Sequence, residues 1–208
     1  MSPLVESLRA EDGRFDDLTP HRERMIRARR AIFGLETVPD LDGALEEVRD
    51  RLGDGVWKVR VIYDPEIRTV EAAPYEPRPY RSAALVDGGS IAYPHKWTDR
   101  SALDALQETA RAAGADAALI VVDGRITDFT WANSAFFDGR RWFTPALPLL
   151  AGTRRDRLLA AGRMETADIR PADLGAYVSA CPINAMMDLG EVEIPIDRII
   201  VTESGGQP

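Results

Sequence analysis

Two hydrophobic periods share this chain, and their order predicts a mixed α/β fold. Alternation with a period of two predicts short strands at residues 4–8, 56–63, 68–73, 83–86, 90–93, 126–137 and 141–143, and the unbroken apolar run 117–122 reads as a buried strand. Helical spacing takes over at four places. The first helix starts with Thr19 as N-cap and Pro20 at the first helical position, and stops at Gly34. Its apolar stripe runs through Met25, Ala28 and Ile32, with His21 and Arg24 on the same side. A second helix covers 41–52, a third covers 99–113 with Leu103, Leu106, Ala110 and Ala113 inward, and a fourth opens after Gly152. The segment 176–201 is extended with irregular breaks.

Turn residues punctuate these elements at Asp12-Gly13, Asp64-Pro65-Glu66, Asp87-Gly88-Gly89, Asp123-Gly124 and Asp138-Gly139. The proline-rich stretch 74–79 reads as an extended linker, which divides the chain into a small N-terminal α/β domain, 1–78, and a larger C-terminal domain, 79–208. Hairpins dominate and no βαβ unit repeats, so the pattern does not imply a dinucleotide fold.

Composition narrows the class. With 208 residues, 45% of them hydrophobic, the chain can bury a real core. A net charge of −8 argues against a nucleic-acid or anionic-membrane surface. No apolar run is long enough to span a bilayer, and the first residues lack the basic and apolar regions of a signal peptide. The single Cys181 fits a reducing compartment, so the expected location is cytoplasmic. His21 and His95 stand apart without clustered acidic partners, so no metal is expected.

One bias bears on chemistry. Of 26 basic residues only Lys58 and Lys96 are lysine, which leaves 24 arginines. Arginine does not give up its proton in a protein, whereas a lysine amine can lose one and form a Schiff base with a carbonyl. Lys58 alternates within a strand. Lys96 follows a strand and precedes a helix capped by Thr98 or Asp99, where the helix dipole would lower the amine's pKa. The other reading of Lys96 is a side chain snorkelling at a strand end.

Two more features allow both a ligand and a plain structural reading. Gly152-Thr153-Arg154-Arg155 leads a glycine turn into a helix, which makes either an anion site or an ordinary cap, with Asp156 supplying part of the local charge. Arg24, turned inward beside His21, needs an anionic partner, either a bound phosphate or a protein carboxylate.

The order of these motifs resembles a known family. Val5-Glu6-Ser7, Asp12-Gly13 and His21-x-x-Arg24 are followed by Lys96, then by Gly124-x-Ile126-Thr127-Asp128-x-Thr130-x-Ala132-Asn133, Thr144-Pro145 and Leu150-x-Gly152-Thr153-x-Arg155. This series is similar to the class IV aminotransferases, the pyridoxal-phosphate (PLP) enzymes of fold type IV. That family includes branched-chain and D-amino-acid aminotransferases and 4-amino-4-deoxychorismate lyase.

The resemblance implies a two-domain fold-type-IV enzyme with PLP as cofactor. It implies that Lys96 carries the Schiff base and moves the substrate's α-proton, and that Asp128 pairs with the pyridine nitrogen. It also gives Arg24 and the backbone N–H groups of Thr153 and Arg154, in the turn at Gly152, to the phosphate, and makes Leu150 the apolar cover of the ring. Asp128 stands where the family carries glutamate, and it otherwise reads as a strand-ending residue, just as Leu150 otherwise reads as core. The implied reaction is transamination between a small or branched-chain amino acid and a 2-oxo acid, in a homodimer. The rivals are the pyruvate-releasing lyase, whose pattern Lys96-Trp97-Thr98-Asp99-Arg100 approaches more closely, and a PLP-binding protein without turnover.

Overall fold

A computed structural model describes residues 2–201. By backbone contacts the chain divides into two units, Met1–Pro77 with His95–Asp99, and Arg78–Pro94 with Arg100–Pro208.

The first unit is a four-stranded antiparallel sheet with helices packed on it. Its elements are β1 (Leu4–Glu11), β2 (Arg14–Phe15), α1 (Thr19–Phe33), α2 (Leu41–Arg49), β3 (Val56–Tyr63) and β4 (Ile67–Pro74), with strand order β2-β1-β3-β4. Alternation does what the sequence suggests: Leu4, Leu8, Ala10, Val59, Val61 and Tyr63 enter one core with Met25 and Ala28 of α1 and Leu41, Leu45 and Val48 of α2. Asp12 (φ 48°) and Gly13 (φ 75°) make the left-handed turn between β1 and β2. At the end of α1, Gly34 adopts φ 69°, and its N–H returns to the Arg30 carbonyl.

Three helix boundaries differ from expectation. Thr19 lies inside α1: the cap position is Leu18, and Asp17 Oδ1 accepts the Thr19 N–H at 2.9 Å. The α-helical part of α2 ends at Arg49, beyond which the chain tightens, with N–H bonds from Arg51 to Val48 and from Leu52 to Arg49. The third helix begins at Ser101 after an Arg100 cap position that has no side-chain cap.

Residues 95–99 join the first unit because they extend its sheet. Trp97 forms a bridge with Leu4, the Val5 N–H donates to the Lys96 carbonyl at 2.9 Å, and the Thr98 N–H donates to the Pro3 carbonyl at 2.8 Å. They occupy the N-terminal half of the β1 edge whose C-terminal half pairs with β2. The boundary at 78/79 would have kept them with the larger domain.

The second unit holds β5 (Ala83–Asp87), α3 (Ser101–Ala112), β6 (Ala117–Val122), β7 (Arg125–Phe129), β8 (Ala132–Phe137), β9 (Trp142–Pro145), α4 (Thr153–Ala160), β10 (Glu165–Ala167), β11 (Ser179–Ile183), β12 (Ile194–Pro195) and β13 (Ile199–Val201). Strands run in the order β10-β9-β8-β7-β6-β5-β13, and β11 pairs with both β8 and β12. Ala83 and Leu85 face the main core with Leu119, Ile126, Phe129 and Phe136. Their neighbours Ala84 and Val86 meet Ala110 of α3 on the other face. Ala113 is exposed, one position past the end of α3.

Two strand expectations fail here. Residues 90–93 form no strand: the Ile91 N–H closes a turn onto the Gly88 carbonyl, and Pro94 offers no donor. The expected single strand 126–137 is a hairpin, β7 and β8, turning at Thr130-Trp131. Tertiary contacts hold this turn in place of turn residues. Arg100 Nη2 donates to the Thr130 carbonyl at 2.9 Å, and Trp131 stacks on Tyr80 with centroids 4.3 Å apart.

A charged cluster interrupts the apolar core of the first unit. Glu6, fully buried on β1, accepts Arg24 Nε at 2.9 Å and Nη2 at 2.5 Å, and His21 Nδ1 at 2.6 Å. Burial alone would raise its pKa. The Arg24 charge, the hydrogen bonds from His21 and Arg24 and the His21 charge outweigh burial and hold it down to about 2. Burial lowers the His21 pKa, with Glu6 pulling the other way.

A group whose pKa falls on folding stabilises fully above its unfolded pKa and loses that contribution as pH drops through its folded value. The window for Glu6 therefore runs from about 4.5 down to about 2, and the whole shift is worth ~3 kcal/mol. Glu6→Gln leaves Arg24 buried without its counter-charge, so it should cost about 3–5 kcal/mol near neutrality. In urea melts the gap from the parent should narrow by ~2 kcal/mol between pH 7 and pH 3; a gap independent of pH would mean that Glu6 is not the titrating group.

Candidate active site

The β7–β8 register places Asp128 directly opposite Asn133, so their side chains share a face. Asn133 Nδ2 donates to Asp128 Oδ1 at 2.8 Å and to the Leu150 carbonyl at 2.8 Å. The Leu150 N–H returns to Asp128 Oδ2 at 3.0 Å. A strand pair and the loop before α4 are thus closed into a ring of three hydrogen bonds around a buried carboxylate. Burial pushes the Asp128 pKa up, opposed by the Asn133 hydrogen bond, the Leu150 N–H, the Arg155 charge and the Leu149 N–H, and the result is about 6. Among the described residues no cation forms an ion pair with Asp128.

The loop then reaches Gly152, the cap position of α4, a residue with no side chain of its own to cap the helix. A Cβ at 152 would collide with Asn133 Oδ1, so the fit requires glycine. Thr153 and Arg155 are buried in the first turn of α4. Two arginines opening a helix oppose its dipole, and the fold answers them with acidic and carbonyl groups. Arg154 Nη1 lies 3.1 Å from Asp188 Oδ2 and its Nη2 donates to the Ala185 carbonyl; Arg155 Nη2 donates to the Pro145 carbonyl, with Asp156 3.6 Å from its Nη1. Leu150 is half-buried.

The remaining candidates lie in the first unit. Lys96 is half-buried, its backbone fixed on the β1 edge, and its charge is felt at His21. α3 starts five residues after Lys96, and the Thr98 hydroxyl donates to the Pro3 carbonyl rather than capping the helix. Lys58 sits on β3 opposite Arg9 and Ala73. Of the two partners open to Arg24, the protein carboxylate is present as Glu6, bound along the Nε–Nη2 edge of the guanidinium.

The structure therefore brings Asp128, Leu150 and Gly152 together, and separately sets Arg24 beside His21 within the charge field of Lys96. Sequence reasoning missed two roles. Glu6 appeared only as part of a motif, although a charged residue among alternating apolar positions of a buried strand signals an ion pair. Asn133 was likewise only a motif member, and its role emerges once β7 and β8 are known to form a hairpin.

Comparison with known proteins shows the family. Residues 3–193 match the family model for amino-transferase class IV. An uncharacterised protein of Haemophilus influenzae is 30% identical over 190 residues, covering 91% of this chain and all of the relative. A protein of Haemophilus somnus 129PT, provisionally named as a 4-amino-4-deoxychorismate lyase, superposes with a TM-score of 0.82 at 26% identity, over 91% of this chain and 98% of that one. A hypothetical aminotransferase from Mycobacterium tuberculosis in its PLP-bound form gives a TM-score of 0.77 at 21% identity, over 95% of this chain and 81% of that one. With nearly its whole length matched, the chain belongs to the class IV aminotransferase family.

Proposed function

We propose that this chain is a PLP-dependent transaminase that exchanges an amino group between a small or branched-chain amino acid and a 2-oxo acid. The observation that carries the reading is Asp128: a buried carboxylate with both oxygens fixed and no ion-paired cation among the described residues. A protonated pyridine nitrogen supplies the positive charge that such a group calls for. The start of α4 behind Gly152 suits a phosphate for the same reason that any helix N-terminus does.

On this reading Lys96 would supply the primary amine that holds the cofactor, and would carry the proton to and from the substrate's α-carbon. Asp128 keeps the ring nitrogen protonated. Arg24, its fork oriented by Glu6, and the backbone N–H groups of Thr153 and Arg154 would hold the phosphate, and Leu150 would cover the ring. When bound, the cofactor supplies an electron sink for the charge left on the α-carbon.

A second reading has its own support. The Haemophilus somnus relative is named as a lyase, and Lys96-Trp97-Thr98-Asp99-Arg100 approaches the lyase pattern. Product analysis separates the two. An amino donor alone should release one equivalent of its 2-oxo acid from a transaminase, while sustained pyruvate release from aminodeoxychorismate without an acceptor marks the lyase. Cofactor retained with neither product would sink both.

Borohydride reduction followed by peptide mapping should place a phosphopyridoxyl label on Lys96. Lys96→Ala should abolish it and Lys58→Arg should leave it intact; a label on Lys58 overturns the assignment.

Arg24 needs a gentler test than alanine, which would strand Glu6 in the core. Arg24→Lys keeps a charge for Glu6 but loses the planar fork. It should weaken PLP retention by about 1.5–3 kcal/mol in a protein that still folds. Unchanged affinity would make Arg24 a structural partner of Glu6 alone.

A further inference from the structure

We infer that Asn133 is a positioning residue that locks the Asp128 carboxylate and the backbone of residues 150–152 into one unit, so that the ionisation of the first and the shape of the second are set together. The inference rests on the proposed reading only in taking Asp128 as a cofactor contact.

The geometry leaves little freedom. An amide nitrogen carries two N–H donors, and in Asn133 one meets Asp128 Oδ1 and the other the Leu150 carbonyl, each at 2.8 Å. Both neighbours are acceptors, so the amide has one workable orientation. Leu150 answers through its own N–H, which reaches Asp128 Oδ2 at 3.0 Å. On its other side Asn133 Oδ1 lies where a Cβ of residue 152 would stand, so the amide and Gly152 fit only each other. Glutamine would overreach by a methylene, aspartate would bring a second carboxylate against the first, and alanine would open the ring.

The ring also discriminates between charge states. Two donors converge on Asp128, one on each oxygen, and a carboxylate accepts both. A protonated carboxyl keeps fewer and weaker acceptor lone pairs for the same two donors. The ring therefore favours the ionised form against the burial that opposes it. Arg155 on α4 adds the same preference through its charge, and the Leu149 N–H adds a further hydrogen bond. Without the amide Asp128 would hold its proton to higher pH, and a neutral carboxyl offers a ring cation no counter-charge. Asn133 thus acts on the cofactor through Asp128.

Nuclear magnetic resonance on the cofactor-free protein tests this without activity as a readout. In the parent, the Asn133 side-chain amide and the Leu150 N–H should shift with one shared midpoint, near 6, equal to that of the ¹³C-labelled Asp128 carboxyl. Asp128→Asn should abolish both shifts. Asn133→Ala should raise the Asp128 midpoint by about one to two units, the scale of a hydrogen bond to a charged group. Gly152→Ala should raise it in the same direction by displacing the amide. Separate midpoints in the parent, or an unmoved Asp128 in either folded variant, overturn the inference; the parent titration needs no substitution, so it decides the matter even where a variant fails to fold. PLP retention, measured alongside, keeps the two claims apart. A shared midpoint in a protein that binds no PLP removes the cofactor reading and keeps the ring, whereas bound PLP with independent titrations does the reverse.

Discussion

A carboxylate taken out of water keeps its charge only if its neighbours answer it, and each unit of this protein is arranged around one such group. Glu6 and Asp128 are both buried, yet they titrate on opposite sides of an ordinary carboxylate, near 2 and near 6. The difference lies in who answers. Glu6 receives a full cation through two hydrogen bonds and a histidine N–H besides, whereas Asp128 receives neutral N–H donors and a more distant arginine charge. The first arrangement answers its carboxylate in full from within the fold. The second remains electrostatically incomplete, which is the condition expected of a group that waits for a ligand.

How much of this was legible from sequence depended on how local the cause was. The helix stop at Gly34, the Asp12-Gly13 turn and the alternating core positions of β3 follow from the residues themselves, and the structure has them where the pattern puts them. The Thr130-Trp131 turn did not follow, because neither residue prefers a turn; Arg100 and Tyr80 impose it from distant parts of the chain. The Thr19 cap failed for a smaller reason, since Asp17 does the same job two residues earlier. The ordered motifs supplied the site candidates, but pairings such as Arg24 with Glu6 lie across different elements and carry no spacing signal.

Asn133 and Gly152 illustrate how such a site constrains its own sequence. A side chain at 152 displaces the amide, and a different side chain at 133 removes the reason for glycine. Neither position is free to change alone, although they stand nineteen positions apart in the chain. Their coupling is steric at one end of the amide and electrostatic at the other, so volume and charge are both fixed by a single residue.

The short segment 95–99 on the β1 edge has a consequence for how the protein is made. Leu4 pairs with Trp97, so the first unit is discontinuous in the chain although it is compact in space. A ribosome releases β1 through β4 early, but the sheet edge that fixes the Lys96 backbone cannot form until Asp99 has left the exit tunnel. By then the chain has already begun the second unit at Arg78. The N-terminal strand must therefore wait, half-edged, through the synthesis of some twenty further residues (about two seconds at typical translation rates) before its last neighbour arrives.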